Sequence, residues 1–280
     1  MATFSIANLL SDLIAETRVR HPSRPALIGV AGAQGSGKSH QCSAFAAVHP
    51  SVAHFSLDDV YKTRAEREQI AASCVRRALQ FGGSASDLSA DDCAKLKALY
   101  VTRGPPGTHD LGLANGLIAR LRQDAPTPLP RFDKRADDRA PEATWPVFKG
   151  PAQAILVDGW CLGANTPSDA APLLVVPEDI IGQWQKHTDL QLGGPYSRFF
   201  DAFDQIIYLQ APNFEIVRRW RGEQEEAMLG RAMTAEESAA LDRFIMHYER
   251  ITRAMLAGHH RAGWIVRLDE NRNILGIEQR

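Results

Sequence analysis

The sequence is poor in cysteine, has almost no net charge and contains no long hydrophobic run. Only four of the 280 residues are cysteine and none belongs to a C-x-x-C pair, which favours reduced thiols over a disulfide scaffold or a zinc site. A formal net charge of −1 predicts no large nucleic-acid footprint. No apolar stretch approaches membrane-spanning length, and no basic N-terminal segment precedes a long apolar run. We therefore expect a soluble cytoplasmic protein with neither a nucleic-acid nor a membrane partner.

Apolar runs alternate with helical patterns along most of the chain. A chain of 280 residues can form one large α/β domain, or one domain with a substrate-binding insert. The alternation predicts an α/β fold with a mainly parallel sheet flanked by helices. Region 63–150 shows no clear strand and is predicted to be a helical and loop insert that holds a second substrate. The five predicted strands lie at 26–31, 52–57, 153–160, 204–210 and 264–268.

One glycine-rich segment has the spacing of a phosphate-binding loop. Residues 32–39 read G-A-Q-G-S-G-K-S and match G-x-x-x-x-G-K-[ST] at every fixed position. A predicted strand precedes it and a predicted helix follows, whereas a chance glycine-rich turn would need neither. Its backbone N–H groups and the helix N-terminus should face phosphates, with Lys38 reaching the β- and γ-phosphates and Ser39 binding Mg²⁺. The predicted nucleotide-binding residues are Gly32, Ala33, Gln34, Gly35, Ser36, Gly37, Lys38, Ser39 and His40.

Acidic residues follow two other predicted strands. Asp58 and Asp59 come directly after 52–57, and Asp158 lies near the end of 153–160. The carboxyl ends of parallel strands are where ligands bind in open α/β sheets, so one acid of the first pair is a candidate base. A helix N-cap role would explain Asp59 equally well. Asp158 resembles a Walker B acid, which holds Mg²⁺ directly or through water, although a strand-end turn is the alternative.

A capping pattern also locates a long helix near the C-terminus. Thr234 with Glu237 three residues later has the spacing of a capping box. The apolar stripe that follows at helical spacing is predicted to belong to the core rather than to contact a cofactor. The stripe comprises Leu241, Phe244, Tyr248, Ile251 and Met255.

Three signatures of other phosphate-loop proteins are missing from the sequence. It has no N-K-x-D segment of GTPases, no L-S-G-G-Q segment of transporter ATPases and no tandem array typical of motors. Small-molecule kinases remain as the favoured class. They need a nucleotide cradle, Mg²⁺ ligands, a base for the acceptor hydroxyl and an arginine-bearing lid. An ATP-binding regulatory protein with little phosphotransfer is the alternative from a different class, but a pure binder needs no base such as Asp58.

Several segments resemble one group of kinases. The sequence S-L-D-D-V-Y at 56–61 is similar to the S-x-D-D-F-Y segment of the phosphoribulokinase/uridine kinase superfamily. Within that superfamily, R-G-P-P-G-T-H-D at 103–110, F-D-K at 132–134 with D-R at 138–139, and V-D-G-W-C-L-G at 157–163 resemble segments of the D-glycerate 3-kinase group. Segments 220–225 and 233–248 also resemble that group, so the resemblance extends from about residue 27 to residue 268.

The resemblance implies a fold, an activity and a set of site residues. It implies a single P-loop kinase domain over 1–280 that uses ATP and Mg²⁺ to phosphorylate a small hydroxy acid, with D-glycerate becoming 3-phosphoglycerate. Asp58 matches the catalytic base, and Lys38 keeps its phosphate role. A lid with its following helix would span 213–256 and carry Arg218 and Arg221. The implied acceptor-binding residues are Asp59, Tyr61, Arg103, His109, Asp110, Asp133, Lys134 and Arg139.

Four residues depart from the pattern of that group. Phe132 replaces a tyrosine, Arg135 a serine and Asp137 a glycine, all in the presumed acceptor loop. Asp158 replaces a glutamate, which leaves open whether it binds Mg²⁺ directly or through a water molecule. The departures keep open a kinase of the same superfamily with another acceptor, such as a nucleoside, a pantothenate-like acid or a sugar phosphate. The residues predict no oligomeric state.

Overall fold

The computed structural model describes residues 5–81, 88–167, 177–179 and 182–280, and the elements below lie within them. The strands are β1 (Ala26–Gly32), β2 (Val52–Ser56), β3 (Pro126–Pro128), β4 (Phe132–Asp133), β5 (Asp138–Arg139), β6 (Val147–Lys149), β7 (Ala154–Gly159), β8 (Gln205–Gln210), β9 (Trp264–Leu268) and β10 (Ile274–Gln279). The helices are α1 (Ile6–Arg20), α2 (Lys38–Val48), α3 (Arg64–Phe81), α4 (Ala90–Val101), α5 (Leu111–Leu121), α6 (Gln183–Gln191), α7 (Ser197–Phe200), α8 (Phe214–Leu229) and α9 (Ala235–Leu256). A 3₁₀ turn covers Leu57–Val60, and a π-helical turn covers Leu192–Tyr196.

A six-stranded sheet in the order β10-β9-β8-β1-β7-β2 forms the centre of the fold. Every residue of β1 and β7 is buried, because both faces of a central parallel strand are covered by helices. All neighbouring pairs are parallel except β9 and β10. The predicted α/β fold with a mainly parallel sheet is therefore confirmed.

The register of the sheet brings the strand ends that carry the site to one edge. Asp158 on β7 lies opposite Val30 on β1 and opposite Ser56 on β2. The phosphate loop after β1, Asp158, and the turn after β2 therefore emerge side by side.

Two parts of the strand prediction were wrong. The final antiparallel strand β10 was missed, because its residues are at least partly exposed and give no continuous apolar run. Region 63–150, expected to lack strands, contains the antiparallel pairs β3–β6 and β4–β5. Each of those strands has only two or three residues, which is too short to give a period-two pattern.

Hydrophobic layers cover both faces of the sheet. Successive side chains of β1 pack alternately into one layer and the other. Leu27 packs on the face covered by α5, while Ile28 packs on the face covered by α1, α2 and α8. The predicted capping box of α9 is confirmed, since the Thr234 hydroxyl accepts from the Glu237 N–H and the Glu237 carboxylate accepts from the Thr234 N–H. No helix in the described parts of the chain has both the length and the apolar character needed to span a bilayer.

Candidate active site

The phosphate loop turns from β1 into α2 with two glycines in the left-handed region. Gly35 has φ 76° and Gly37 has φ 86°, and Gly37 is the N-cap of α2. A Cβ on Gly35 would lie 2.5 Å from the Cβ of Trp220 and 2.9 Å from its carbonyl carbon. Gly35 is therefore required both by its backbone conformation and by its contact with α8.

A cavity of about 400 Å³ opens beside this loop. Its wall contains six predicted nucleotide-binding residues: Gln34, Gly35, Gly37, Lys38, Ser39 and His40. Five other predicted residues reach the same cavity, namely Asp58, Tyr61, Arg103, Lys134 and Arg221. The remaining wall is formed by residues that the sequence patterns did not single out as ligand contacts: Glu223, Gln224, Met228, Phe244, Tyr248 and Arg272.

Asp158 and Ser39, the two residues predicted to hold Mg²⁺, lie in direct contact. The Ser39 hydroxyl donates to Asp158 Oδ1 at 2.7 Å, and the fully buried carboxylate also accepts from Ser56 Oγ at 3.2 Å. No cluster of three or more histidine, cysteine, aspartate or glutamate side chains that could hold a metal occurs in the described residues. Nucleotide-bound Mg²⁺ needs only one or two protein oxygens beside phosphates and water, so this hydroxyl and carboxylate suit it.

His54 is an unpredicted partner of this pair. Its Nε2 lies 2.8 Å from Asp158 Oδ2, and its Nδ1 lies 3.3 Å from the Ser43 hydroxyl. His54 therefore occupies one carboxylate oxygen of Asp158 and leaves the other directed at Ser39. Such outer partners fix the orientation of a metal-binding carboxylate.

Asp58, the predicted base, lies at the cavity wall with both carboxylate oxygens in contact with donors. Tyr61 OH donates to Oδ1 at 2.8 Å, and Lys134 Nζ donates to Oδ2 at 2.8 Å. Burial disfavours the charged form, but Lys134 and Lys38 together outweigh burial and hold the pKa of Asp58 well below its usual range. Asp58 is therefore ionised at neutral pH.

His109 lies behind Tyr61 rather than on the cavity wall. Its ring stacks on the Tyr61 ring with centroids 4.5 Å apart, and its Nδ1 lies 2.6 Å from the Tyr196 hydroxyl. That hydroxyl accepts from the backbone N–H groups of Gly107 and His109, so its own proton goes to Nδ1 and the ring proton of His109 sits on Nε2. Burial lowers the pKa of His109 to about 3, which keeps the ring neutral.

Asp59 and Asp133 use their carboxylates for local turns. Asp59 Oδ2 accepts from the Ser56 N–H at 3.1 Å and from Arg131 at 3.0 Å; the N-cap of this turn is Ser56, and Asp59 is the third residue of its capping box rather than the N-cap itself. Burial raises the pKa of Asp59. Asp133 Oδ1 accepts from the N–H groups of Arg135 and Ala136. Neither carboxylate belongs to the cavity wall.

Asp110 and Arg139 lie outside the cavity wall and contact the segment that carries Tyr61. Asp110 caps α5 by accepting from the Leu113 N–H at 2.9 Å. Arg139 Nη2 donates to the Tyr61 carbonyl at 2.9 Å and to Asp110 Oδ2 at 3.3 Å. These contacts join the β4–β5 hairpin to the turn that carries Tyr61.

Asp137, one of the departures from the family pattern, adopts a conformation that glycine favours. Its φ is 53°, in the left-handed region that aspartate tolerates better than most residues. Its carboxylate pairs with Arg103 at the cavity, with the fully buried Arg67 at 3.1 Å and with Arg64 at 3.7 Å. Three guanidinium groups therefore share one carboxylate.

The two predicted lid arginines have different environments. Arg221 lines the cavity and lies 2.8 Å from Glu225 on the same helix. Arg218 is outside the cavity wall and makes a two-pronged pair with Asp242 at 2.6 Å. The structure thus brings Arg221, but not Arg218, to the phosphate loop.

The prediction that the α9 stripe is only core was incomplete. Phe244 and Tyr248 line the cavity, and Tyr248 OH donates to the Arg103 carbonyl at 3.1 Å. Arg272, in the turn after β9, donates from Nε to the Gly35 carbonyl at 2.7 Å. A polar turn at the carboxyl end of a parallel strand was the available signal for Arg272, the same signal that indicated Asp58.

Comparisons with known proteins place this geometry in context. The chain matches no protein-family profile. It is 27% identical over 249 residues to the "Uncharacterized kinase mug58" of Schizosaccharomyces pombe, covering 83% of this chain and 82% of that protein.

Two solved structures match nearly the whole chain. The D-glycerate 3-kinase from Cryptococcus neoformans var. grubii superposes with a TM-score of 0.71 at 21% identity, covering 99% of this chain and 100% of that one. The YGR205w protein superposes with a TM-score of 0.68 at 22% identity, covering 98% of this chain and 96% of that one. The chain therefore has the P-loop kinase fold, and the resemblance to the D-glycerate 3-kinase group is confirmed at the level of that fold.

Proposed function

We propose that this chain is an ATP-dependent kinase that transfers the γ-phosphate to a hydroxyl of a small hydroxy acid, with D-glycerate as the first acceptor to test. One observation carries the proposal: an ionised carboxylate, Asp58, lies in the same cavity as the phosphate loop and Lys38. The similarity to a protein named as a kinase and to a D-glycerate 3-kinase structure supports it.

Each of these cavity residues has a separate role in the proposed phosphate transfer. Lys38 and the loop N–H groups hold the β- and γ-phosphates, while Asp58 accepts a hydrogen bond from the acceptor hydroxyl. The hydroxyl oxygen bonds to the γ-phosphorus as the bond to the bridging oxygen of ADP breaks, and the hydroxyl proton passes to Asp58 and then to water. Mg²⁺ held by Ser39 and Asp158, directly or through water, would shield the phosphate charge. A low pKa suits Asp58, because orientation matters more than early proton removal in a loose transition state.

The acceptor end of the cavity suits an anion. Lys134 and Arg103 are the cations on that wall. Arg103 shares the carboxylate of Asp137 with two other arginines, so a positive charge remains for a substrate carboxylate. An uncharged nucleoside would gain nothing from this charge. The insert 63–150 supplies these cations and segment 213–256 supplies Arg221 and Tyr248, so we infer that these two segments form the acceptor insert and the lid region.

The test is ADP release from MgATP, measured acceptor by acceptor. D-glycerate is compared with L-glycerate, uridine, pantothenate and ribulose 5-phosphate, and turnover with D-glycerate above the others is expected. Turnover with a different acceptor would retain the kinase and replace D-glycerate. MgATP binding without turnover of any acceptor would favour the regulatory ATP-binding protein.

Two matched variants test the role of Asp58. Asp58→Asn should lower kcat by about 10²- to 10⁴-fold, the usual contribution of a general base, with the affinity for MgATP unchanged. Asp133→Asn is the control, because Asp133 is a nearby acid that caps its own turn outside the cavity. Equal losses in both variants would remove Asp58 from the role of base.

A further inference from the structure

The turn after β9 is attached to the phosphate loop and to α8 by one arginine. Arg272 donates from Nε to the Gly35 carbonyl at 2.7 Å and from Nη2 to Glu223 at 2.7 Å. Its guanidinium lies over the Trp220 indole, 4.9 Å from the ring centroid. Since Trp220 is fully buried, one face of the guanidinium is covered, and the opposite face is the one that can meet a ligand in the cavity.

The order of the strands separates two ends of the cavity. β1 and its phosphate loop are central; β7 and β2, which carry Asp158 and lead to Asp58, lie on one side. β8 and β9 lie on the other side, and the turn with Arg272 follows β9. If the γ-phosphate points at Asp58, the rest of the nucleotide must extend from the phosphate loop toward β9. This step rests on the proposed function.

The backbone of Arg272 is unusual for its residue type. Its φ of 68° lies in the left-handed region, where glycine or asparagine would be less strained. Asn271 and Asn273 flank it, so asparagine occurs in this turn but not at the strained position. Strain of this kind persists where the surrounding structure or a ligand gains from the side chain.

We propose that Arg272 binds the base of the nucleotide by stacking its free guanidinium face on the ring, with Trp220 supporting the other face. A planar guanidinium stacks on any aromatic base. The contact therefore serves affinity for the nucleoside end, while the phosphates are held by the loop.

The proposal is tested by comparing two ligands that differ in the presence of a nucleoside. Isothermal titration calorimetry gives the Kd of MgADP and of magnesium tripolyphosphate for the wild type and three variants. Arg272→Ala should weaken MgADP by about tenfold and leave tripolyphosphate within about twofold. Arg272→Lys keeps the charge but loses the planar surface, so it should weaken MgADP as well, although less.

Arg219→Ala is the matched control. Arg219 also binds the turn, through the carboxylate of Glu270 at 3.0 Å, but it lies outside the cavity wall. Trp220 Nε1 still donates to the Glu270 carbonyl at 2.8 Å in that variant, so both Kd values should stay within about twofold.

The remaining outcomes contradict the proposal in different ways. Equal weakening of both ligands by Arg272→Ala would mean that Arg272 acts through the Gly35 carbonyl and not on the base. An unchanged Kd for MgADP would remove Arg272 from nucleotide binding. Failure of the wild type to bind either ligand would instead overturn the proposed function, and the stacking proposal with it.

Discussion

Lys134 should set the acid limit of catalysis by holding Asp58 ionised. Its Nζ lies 2.8 Å from Asp58 Oδ2 at the tip of the β4–β5 hairpin. Burial raises the pKa of Asp58, and Lys134 with Lys38 lowers it further than burial raises it. In Lys134→Met, burial is opposed mainly by Lys38, so the pKa of Asp58 should rise.

The size of the shift follows from the distance and the exposure of the pair. An opposite charge within about 4–6 Å moves a carboxyl pKa by about 1–3 units. The Lys134 side chain is 53% exposed, so water screens its charge, but Lys134→Met also removes a hydrogen bond and leaves burial, the largest effect on this pKa, opposed mainly by Lys38. A rise toward the upper end of the range, about 3 units, is therefore expected. The base works when deprotonated. Activity is therefore lost as the pH falls through this pKa, and a raised pKa moves that loss to higher pH.

The assay measures kcat/KM for the acceptor as a function of pH, with MgATP saturating. Lys134→Arg keeps the charge and should keep the acid limb where the wild type has it. Lys95→Met is the control, because Lys95 pairs with Asp91 at 2.6 Å with similar exposure but does not line the cavity. A Lys134→Met enzyme that is slower but has an unmoved acid limb would refute the role assigned to Lys134.

Three other predictions concern the metal site, the loop and the fold. His54→Ala should free one oxygen of Asp158 and weaken Mn²⁺ binding to the ADP complex by about 10- to 100-fold, as seen by electron paramagnetic resonance; an unchanged Mn²⁺ affinity would contradict it. Gly35→Ala should abolish nucleotide binding and lower the melting temperature, because the new Cβ would meet Trp220 at 2.5 Å; a wild-type Kd for MgADP would show that α8 can yield. Thr234→Ala should lower the free energy of unfolding in urea by about 1 kcal/mol through loss of the α9 cap, and a change near zero would mean that the cap adds nothing.

The central part of the fold was predictable because it follows from continuous apolar runs. β1, β7 and β8 are buried along most of their length, which leaves the pattern of a parallel sheet in the sequence itself. β10 and the short hairpins were not predictable in that way. Their formation depends on turns and on pairing with other strands. A strand of two or three residues is too short to show a period-two pattern.

The site was predictable where its residues lie next to a strand end. Lys38, Ser39, Asp58 and Asp158 all follow or end strands whose order on the sheet edge is set by the fold. His54 reaches Asp158 only because β2 and β7 pair in one particular register, which no local pattern specifies.

Long-range packing explains the remaining errors. Tyr248 has the helical spacing of a core residue and is buried, yet it lines the cavity, and its hydroxyl donates to the carbonyl of Arg103, which is distant in sequence. Arg218 and Arg221 are three residues apart on one helix, but only Arg221 faces the loop, since the orientation of α8 is fixed by Trp220 packing on Gly35.

The two hydrogen bonds that Asp58 accepts have a consequence for the rate at which ATP is hydrolysed without an acceptor. With Tyr61 donating to one oxygen and Lys134 to the other, one acceptor position on each oxygen of Asp58 is taken, so a water molecule competes for the positions that remain. The anionic group of a hydroxy acid can be held by the cations of the cavity wall, which places its hydroxyl at Asp58, whereas water has no such group. We therefore expect wasteful ATP hydrolysis to be slow while the acceptor is absent, so that the nucleotide is consumed only when there is something to phosphorylate.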